Sequence, residues 1–332
     1  MRRPADLRPA SAASLALLPA LAAAAVLLTA CGTEHTGTGS SGARASASQD
    51  GTRIEDPGKD GVRITSLTLP SASPSPTLGH SVSADTLTTG PDSGISAAYE
   101  VTNDGTEAWT YSVVFTFVSG DGGAVANQTE TVRGVGPGQT VRGTVRAGQL
   151  PSAAPRVTGA KVLEVTKVPA GEAPAGPGTC PASGIRVSAD KGDAAMGLRV
   201  VGLHLDNCGK RAYTVEGYPL LELLDDALRP VDGVEILHGS GGITTGAGLD
   251  ERPRTVRLNP GESATAELVW RNTTGFGTPV NVPYVRVRAR KGADPVTVTP
   301  HLDLGTTGKL GVGPWVKAER QGCPDGTCRS SG

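Results

Sequence analysis

Two copies of one triplet, His204-Leu205-Asp206 and His301-Leu302-Asp303, are the residues of this chain whose types and spacing best suit binding chemistry. In an extended strand, positions two apart share a face, so each triplet presents an imidazole and a carboxylate together. Meeting across a sheet, the two pairs would supply four ligands for a metal ion. A metal carrier using His204/Asp206 and His301/Asp303 is therefore one reading of the chain. The competing reading is stronger: such pairs usually sit solvated on an outer face, and nothing in the sequence sets the two strands side by side. Copper handling is poorer still, because only Met1 and Met196 offer thioethers. No metal and no cofactor is expected.

Other motifs fall short of catalysis. His238-Gly239-Ser240-Gly241-Gly242 has hydrolase-like composition, yet it lacks the Gly-x-Ser-x-Gly spacing, and the oxyanion loop would need an α/β sheet. Gly305-Thr306-Thr307-Gly308-Lys309 has a lysine after glycine but not the phosphate-loop spacing. Arg286, Arg288 and Arg290 alternate along one strand and would line one face, a small polyanion stripe or simply a solvated surface. No catalytic residue is expected, and a cell-envelope hydrolase remains the alternative to a binding protein. Lys plus Arg number 31 against 32 for Asp plus Glu, so no global basic field exists to hold nucleic acid.

The amino-terminal segment reads as an address. Arg2, Arg3 and Arg8 precede an apolar run over 10–30, the order of charges and apolar residues found in secretory signals. The run ends Leu28-Thr29-Ala30-Cys31-Gly32, which resembles the lipobox of bacterial lipoproteins. That resemblance implies a diacylglyceryl group on the Cys31 thiol, cleavage before Cys31, and a lipid-anchored protein on the outer face of the membrane. Of the five cysteines, Cys180, Cys208, Cys323 and Cys328 then remain, an even number suited to two disulfides in an oxidising compartment. The expected pairs are Cys180–Cys208 and Cys323–Cys328, with Cys180–Cys323 as the alternative. On the chain-entropy model the two expected loops contribute about 3.6 and 2.2 kcal/mol.

These residues need elements to position them. With 46 Gly, 25 Pro and 3% aromatic residues in 332, the composition favours turn-rich β structure over helix bundles. After the signal over 1–30, residues 31–60 carry too little apolar surface for a core and read as a tether, spanning roughly 30 Å. A first β-sandwich is expected over 61–168, with 70–94 a loop or a further linker. Its strands are read at 62–69, 97–101, 111–118, 125–132, 139–145 and 157–168 from alternation and Gly-rich turns. A linker follows over 169–179. A second sandwich is expected over 180–319, with strands at 185–189, 197–205, 213–224, 255–258, 263–270, 284–289 and 296–302, before a tail over 320–332. The best helix candidate, 219–228, fits a buried strand equally well. The fold class is all-β, with two immunoglobulin-like sandwiches behind the signal and tether.

The two halves share a signature. Asn103-Asp104-Gly105-Thr106-Glu107-Ala108-Trp109-Thr110 and Asn207-Cys208-Gly209-Lys210-Arg211-Ala212-Tyr213-Thr214 both follow Asn-x-Gly-x-x-Ala-aromatic-Thr. Downstream, Pro137-Gly138 is echoed by Pro260-Gly261. Asn and Gly tolerate left-handed backbone and Pro-Gly fits turn corners, so each signature marks a turn feeding a strand. One sandwich plan used twice accounts for the spacing, with the second copy carrying an insertion between Asn207 and Pro260.

The pieces Asn207-Cys208-Gly209, Gly217-Tyr218-Pro219, Trp270-Arg271-Asn272-Thr273 and Leu304-Gly305-Thr306-Thr307-Gly308 together resemble an actinobacterial domain of secreted lipoproteins, domain of unknown function 4232. The resemblance covers residues 180 to about 316. It implies a β-sandwich outside the membrane and assigns no catalytic residues.

The insertion is expected at 238–254, whose Gly, Ser and Thr suit an exposed loop on a rigid scaffold. A long, tolerated connection is the stronger reading of this segment; if it binds, His238, Ser240, Asp250 and Arg252 are its candidate binding residues, for a polar ligand such as a sugar polymer or peptide. The chain is thus expected to bind a cell-wall polymer or another envelope protein while held to the membrane by its lipid.

Overall fold

Short β-branched stretches separated by Gly and Pro favour strands, and strands account for the architecture. The computed structural model describes residues 52–54, 56–70, 92–244 and 249–318, and no helix occurs among them. The signal segment, Cys31, most of the tether, residues 71–91, Cys323 and Cys328 lie outside the described residues.

The first strands are β1 (Thr52–Arg53), β2 (Val62–Thr68), β3 (Ser96–Thr102), β4 (Trp109–Ser119), β5 (Ala124–Val135), β6 (Thr140–Arg146) and β7 (Val157–Pro169). They form an antiparallel sheet in the order β1-β2-β3-β6 and a second in the order β5-β4-β7. Inward residues of both sheets share one core: Ile64, Tyr99 and Val145 from one, Val113, Phe115 and Val132 from the other. The Tyr99 and Phe115 rings meet between the layers with centroids 4.7 Å apart. Opposite Tyr99 on β6 stands Gly143, where a Cβ would collide with the ring, so the aromatic fits only because this strand position has no side chain. On the outer face Glu100 is held by Arg63 and Arg142 from the flanking strands, at 2.6 and 2.8 Å. Those hydrogen bonds, Arg63 first, hold the Glu100 carboxyl below its ordinary range.

The remaining strands are β8 (Ile185–Ala189), β9 (Asp193–Ala195), β10 (Leu198–Asn207), β11 (Tyr213–Glu216), β12 (Leu220–Leu224), β13 (Glu235–His238) and β14 (Thr255–Leu258). They continue with β15 (Ser263–Arg271), β16 (Asn281–Val282), β17 (Tyr284–Arg288), β18 (Val296–Val298), β19 (Leu302–Asp303), β20 (Lys309–Val312) and β21 (Val316–Lys317). The larger sheet runs β13-β20-β15-β10-β8, with β9 on β10 and β21 on β15. The smaller pieces are β11-β14, β12-β17-β18 and β16-β19. Leu203, Leu205, Leu268 and Leu310 of the larger sheet share a core with Leu258, Val285, Val287 and Leu302 of the smaller pieces. The segment read as helix or strand, 219–228, contributes β12.

The shared signature is one device built twice. Asn103 and Asn207 follow or end the corresponding strands β3 and β10 and are buried, 2% and 1% exposed. Asn103 Nδ2 donates to Glu107 O and to Val135 O on β5, at 2.7 and 2.8 Å. Asn207 Nδ2 donates to Arg211 O and to Leu258 O on β14, at 2.8 and 2.9 Å. Each Oδ1 accepts from the glycine two residues on, Gly105 or Gly209. Each backbone carbonyl accepts from the glycine of the Pro-Gly turn, Gly138 or Gly261, both at 2.7 Å. Those glycines have φ of 66° and 80°, which their missing Cβ permits. One carboxamide therefore joins a strand of one layer to the end of a strand in the other.

The copies diverge where β4 is one long strand. β4 pairs with both β5 and β7, whereas β11 pairs with β14 and β12 pairs with β17. Gly217 at φ 80° and Pro219 separate β11 from β12. The extra length of the second copy holds β13 as well as the 238–254 segment.

Residues 169–179, expected as a linker, are fastened down. Glu172 Oε2 accepts from Arg286 Nε at 2.8 Å and from Thr297 Oγ1 at 2.7 Å, and Thr297 N donates to Glu172 O at 2.8 Å. Val168, Leu224 and Tyr284 form a small apolar cluster beside it, with Ala173 and Leu228 packed on. Arg286 also reaches Glu222 at 2.8 Å, Arg288 donates to Ala293 O, and Arg290 lies over the Tyr213 ring. The arginine stripe is thus occupied within the protein.

Asn207→Ala leaves Arg211 O and Leu258 O without their donor and is expected to cost about 2–3 kcal/mol. The exposed neighbour Lys210→Ala should change stability by less than about 0.5 kcal/mol. Urea unfolding of the two variants checks the difference.

Candidate functional site

The strand ends at one side of the second half bring together residues that the sequence keeps far apart. Trp270 faces inward on β15 opposite Arg199 of β10. Asn272 lies two positions after Trp270, so both point toward the chain segment carrying Asp303. Trp270 Nε1 donates to Asp303 Oδ1 at 2.8 Å, and Asn272 Nδ2 donates to Asp303 Oδ2 at 3.1 Å. Arg199 Nη2 stands 3.4 Å from the same Oδ2. Burial alone would raise the Asp303 pKa, but the hydrogen bonds from Trp270 and Asn272 and the charge of Arg199 outweigh it and hold the carboxyl below its ordinary value.

The neighbouring turn is locked to the same place. Thr306 N donates to Thr273 O at 3.0 Å, and Gly275 N donates to Thr306 Oγ1 at 2.8 Å. Gly305 has φ of 56°, and any Cβ there would run into the Thr273 carbonyl. In front of this clip opens a cleft of about 530 Å³, walled by Lys191, Asp193, Arg199, Trp270, His301 and Asp303. Its walls offer donors and acceptors of both charges with an aromatic edge. Such a surface suits a polar ligand rich in hydroxyl, amide or charged groups rather than a greasy one.

The two His-Leu-Asp triplets do not converge. His204 Nε2 lies 3.4 Å from Asp190, while Asp206 takes a two-pronged bond from Arg186 at 3.0 and 2.8 Å. His301 sits at φ 49°, which breaks the extended geometry expected for its triplet. Its Nε2 comes 3.5 Å from Glu164 on β7, while Asp303 serves Trp270. Among the described residues, no group of three or more His, Cys, Asp or Glu is placed to hold a metal ion.

The candidates at 238–254 lie in separate surroundings. His238 ends β13 and its ring stacks on Tyr218, centroids 3.9 Å apart. Ser240 is fully buried, with its backbone N and its Oγ both donating to the Asp250 carboxylate at 2.8 Å. Those bonds, the backbone one first, hold the Asp250 pKa below its ordinary value. Ile243 and Leu249 are buried against Val269, and Arg271 Nε donates to Ile243 O at 2.8 Å. The expected exposed loop is therefore pinned at both described ends, because its two large apolar residues find a pocket; residues 245–248 lie outside the described set. Arg252 is exposed in a second, smaller cleft. Cys180 and Cys208 are disulfide-bonded as expected, fastening the segment before β8 to the turn after β10.

Nothing local in the sequence marks Arg199, Trp270 and Asn272 as a site. The signal available was the Trp-x-Asn spacing on a strand, which sets both side chains to one side. Together, the strands and this clip define an all-β protein whose candidate site is a polar cleft. Residues 180–316 match the family described as Domain of unknown function (DUF4232). No curated protein matches the chain.

Asp303→Asn keeps an acceptor for Trp270 but loses the carboxylate's charge and its second strong acceptor. Folding lowers the Asp303 pKa from 3.8, so its contribution is complete above about pH 5 and fades as pH falls through the folded pKa. The native protein should exceed the variant in stability by about 1 kcal/mol at neutral pH, solvent screening included, with the gap closing below about pH 4. Urea midpoints across pH 3–7 test this.

Proposed function

We propose that this is a lipid-anchored protein on the outer face of the cell membrane. Its two immunoglobulin-like β-sandwiches bind a component of the cell envelope, a wall polymer or another envelope protein. The observation that carries the reading is the polar cleft in front of Trp270 and Asp303. Arg199, Trp270 and Asp303 hold one another in its wall, so these three groups need little ordering when a ligand arrives.

The anchor rests on Arg2, Arg3 and Arg8, the apolar run, and Thr29-Ala30-Cys31-Gly32. The Cys180–Cys208 bond fits an oxidising exterior. A binding role is favoured over hydrolysis by the state of the hydrolase-like motif. The Ser240 hydroxyl is fully buried and donates to Asp250, and the His238 ring is stacked on Tyr218. A nucleophile needs access to its substrate and a base within reach.

Cells producing the full chain should carry it in the membrane fraction, and Cys31→Ser should shift it to the soluble fraction without an acyl mass. Lys191→Glu combined with His301→Ala alters the exposed cleft wall while leaving the Trp270–Asp303 clip in place. Sedimentation with isolated cell envelopes should fall at least tenfold for that pair. Unchanged sedimentation rejects the cleft as the binding surface, and a membrane-bound Cys31→Ser rejects the anchor.

A further inference from the structure

A slot separate from the Trp270 cleft collects arginines that the fold leaves unused. Most arginines of the second half have work inside the protein. Arg186 binds Asp206, Arg199 binds Asp303, Arg229 binds Asp225, and Arg286 binds Glu172 and Glu222. Arg271 and Arg288 donate to backbone carbonyls, and Arg290 covers a tyrosine ring. Arg252, Arg254 and Arg257 are exposed and make no ion pair among the described residues. All three line one slot of about 270 Å³, with Lys317 on its other wall and Glu251 as the one acidic group lining it.

The slot is built by rigid pieces. Arg257 lies on β14, which among the described residues pairs only with β11, and Lys317 lies on β21, which among them pairs only with β15. The slot therefore falls between the free edges of two different sheets. Pro253 restricts Arg252 to extended backbone, carrying it along the same line as Arg254. Trp315 forms the floor, fully buried, with its Nε1 donating to Ala289 O at 3.0 Å and its backbone N to Gly217 O at 2.9 Å. Val256 and the half-exposed Val316 complete an apolar base. Lys317 is shared with Glu262, 2.7 Å away, so the arginines carry the free charge.

The geometry points to an anion-binding slot that takes a phosphate group carrying a small organic part. Guanidinium groups bind phosphate oxygens through paired N–H donors, and three of them around one slot match a phosphoester better than a single carboxylate. The apolar floor suits the carbon atoms next to the phosphorus, and the volume suits a headgroup-sized unit rather than a folded partner. The concentration of charge is local, since the whole chain has a formal net charge of −1. The same phosphoester chemistry is presented by an anionic phospholipid headgroup and by a phosphodiester wall polymer.

Glycerol 3-phosphate titrated into the full-length protein by calorimetry is the direct test, with glycerol as the uncharged control. Phosphate-dependent binding is expected. The triple variant Arg252→Gln/Arg254→Gln/Arg257→Gln should weaken it at least tenfold with an unchanged melting midpoint, since all three side chains are exposed. Glu251→Gln, which removes the acid of the slot, should tighten it. Arg211→Gln, an exposed arginine outside the slot, should leave it within twofold. Phosphatidylglycerol vesicles binding more tightly than glycerol 3-phosphate, with phosphatidylcholine vesicles not binding, would assign the lipid source; equal affinities would assign a free phosphodiester. Absence of phosphate-dependent binding, or an equal loss in Arg211→Gln, would overturn the proposal.

Discussion

The carboxamides of Asn103 and Asn207 are the interaction on which both halves depend. Each is buried at the end of a strand in one layer and spends both N–H groups on carbonyls at or near strand ends in the other. The carbonyls of Val135 and Leu258 are buried and have no water to turn to, so the side chain that satisfies them also fixes how the layers meet. The Pro-Gly turn closes the arrangement from the far side by donating to the asparagine's own carbonyl.

From that fixed point the candidate site follows. The Asn207 backbone bonds to Gly261 and Glu262 in the turn leading into β15, and the antiparallel pairing of β10 with β15 sets Arg199 opposite Trp270 toward the other end of the pair. Trp270 and Asn272 then capture Asp303, which shapes the wall of the polar cleft. Glu172 does similar work at the junction of the halves, where one carboxylate takes up Arg286 and the Thr297 hydroxyl. Polar side chains thus control the geometry, while the apolar cores, rich in Val and Leu, supply most of the driving force.

The strands were largely legible because their information is local. Alternation and Gly-rich turns place 185–189 and 255–258 at the observed ends, and the repeated Asn-x-Gly signature marks the repeated turn. What the asparagines do with their side chains was not legible, since the carbonyl of Leu258 is brought to Asn207 only by the folded chain. The partners that the His-Leu-Asp triplets take were not legible for a similar reason. Nothing local announces that His301 takes positive φ or that Asp303 is claimed by a tryptophan on another strand. The 238–254 segment looked like an open loop because composition hides position: Ile243 and Leu249 are few, but both are buried. The Pro/Gly/Ala stretch over 169–179 likewise conceals the one glutamate that fastens it.

Hydrogen exchange of the asparagine side chains addresses the central claim most directly. The Nδ2 protons of Asn103 and Asn207 can be followed in the native protein by nitrogen-edited NMR. If each carboxamide joins two layers, both pairs of protons should be slowed by at least about a thousandfold relative to a free asparagine, in step with the core strands around them. Exchange at the rate of an exposed side chain, at either residue, would contradict the account.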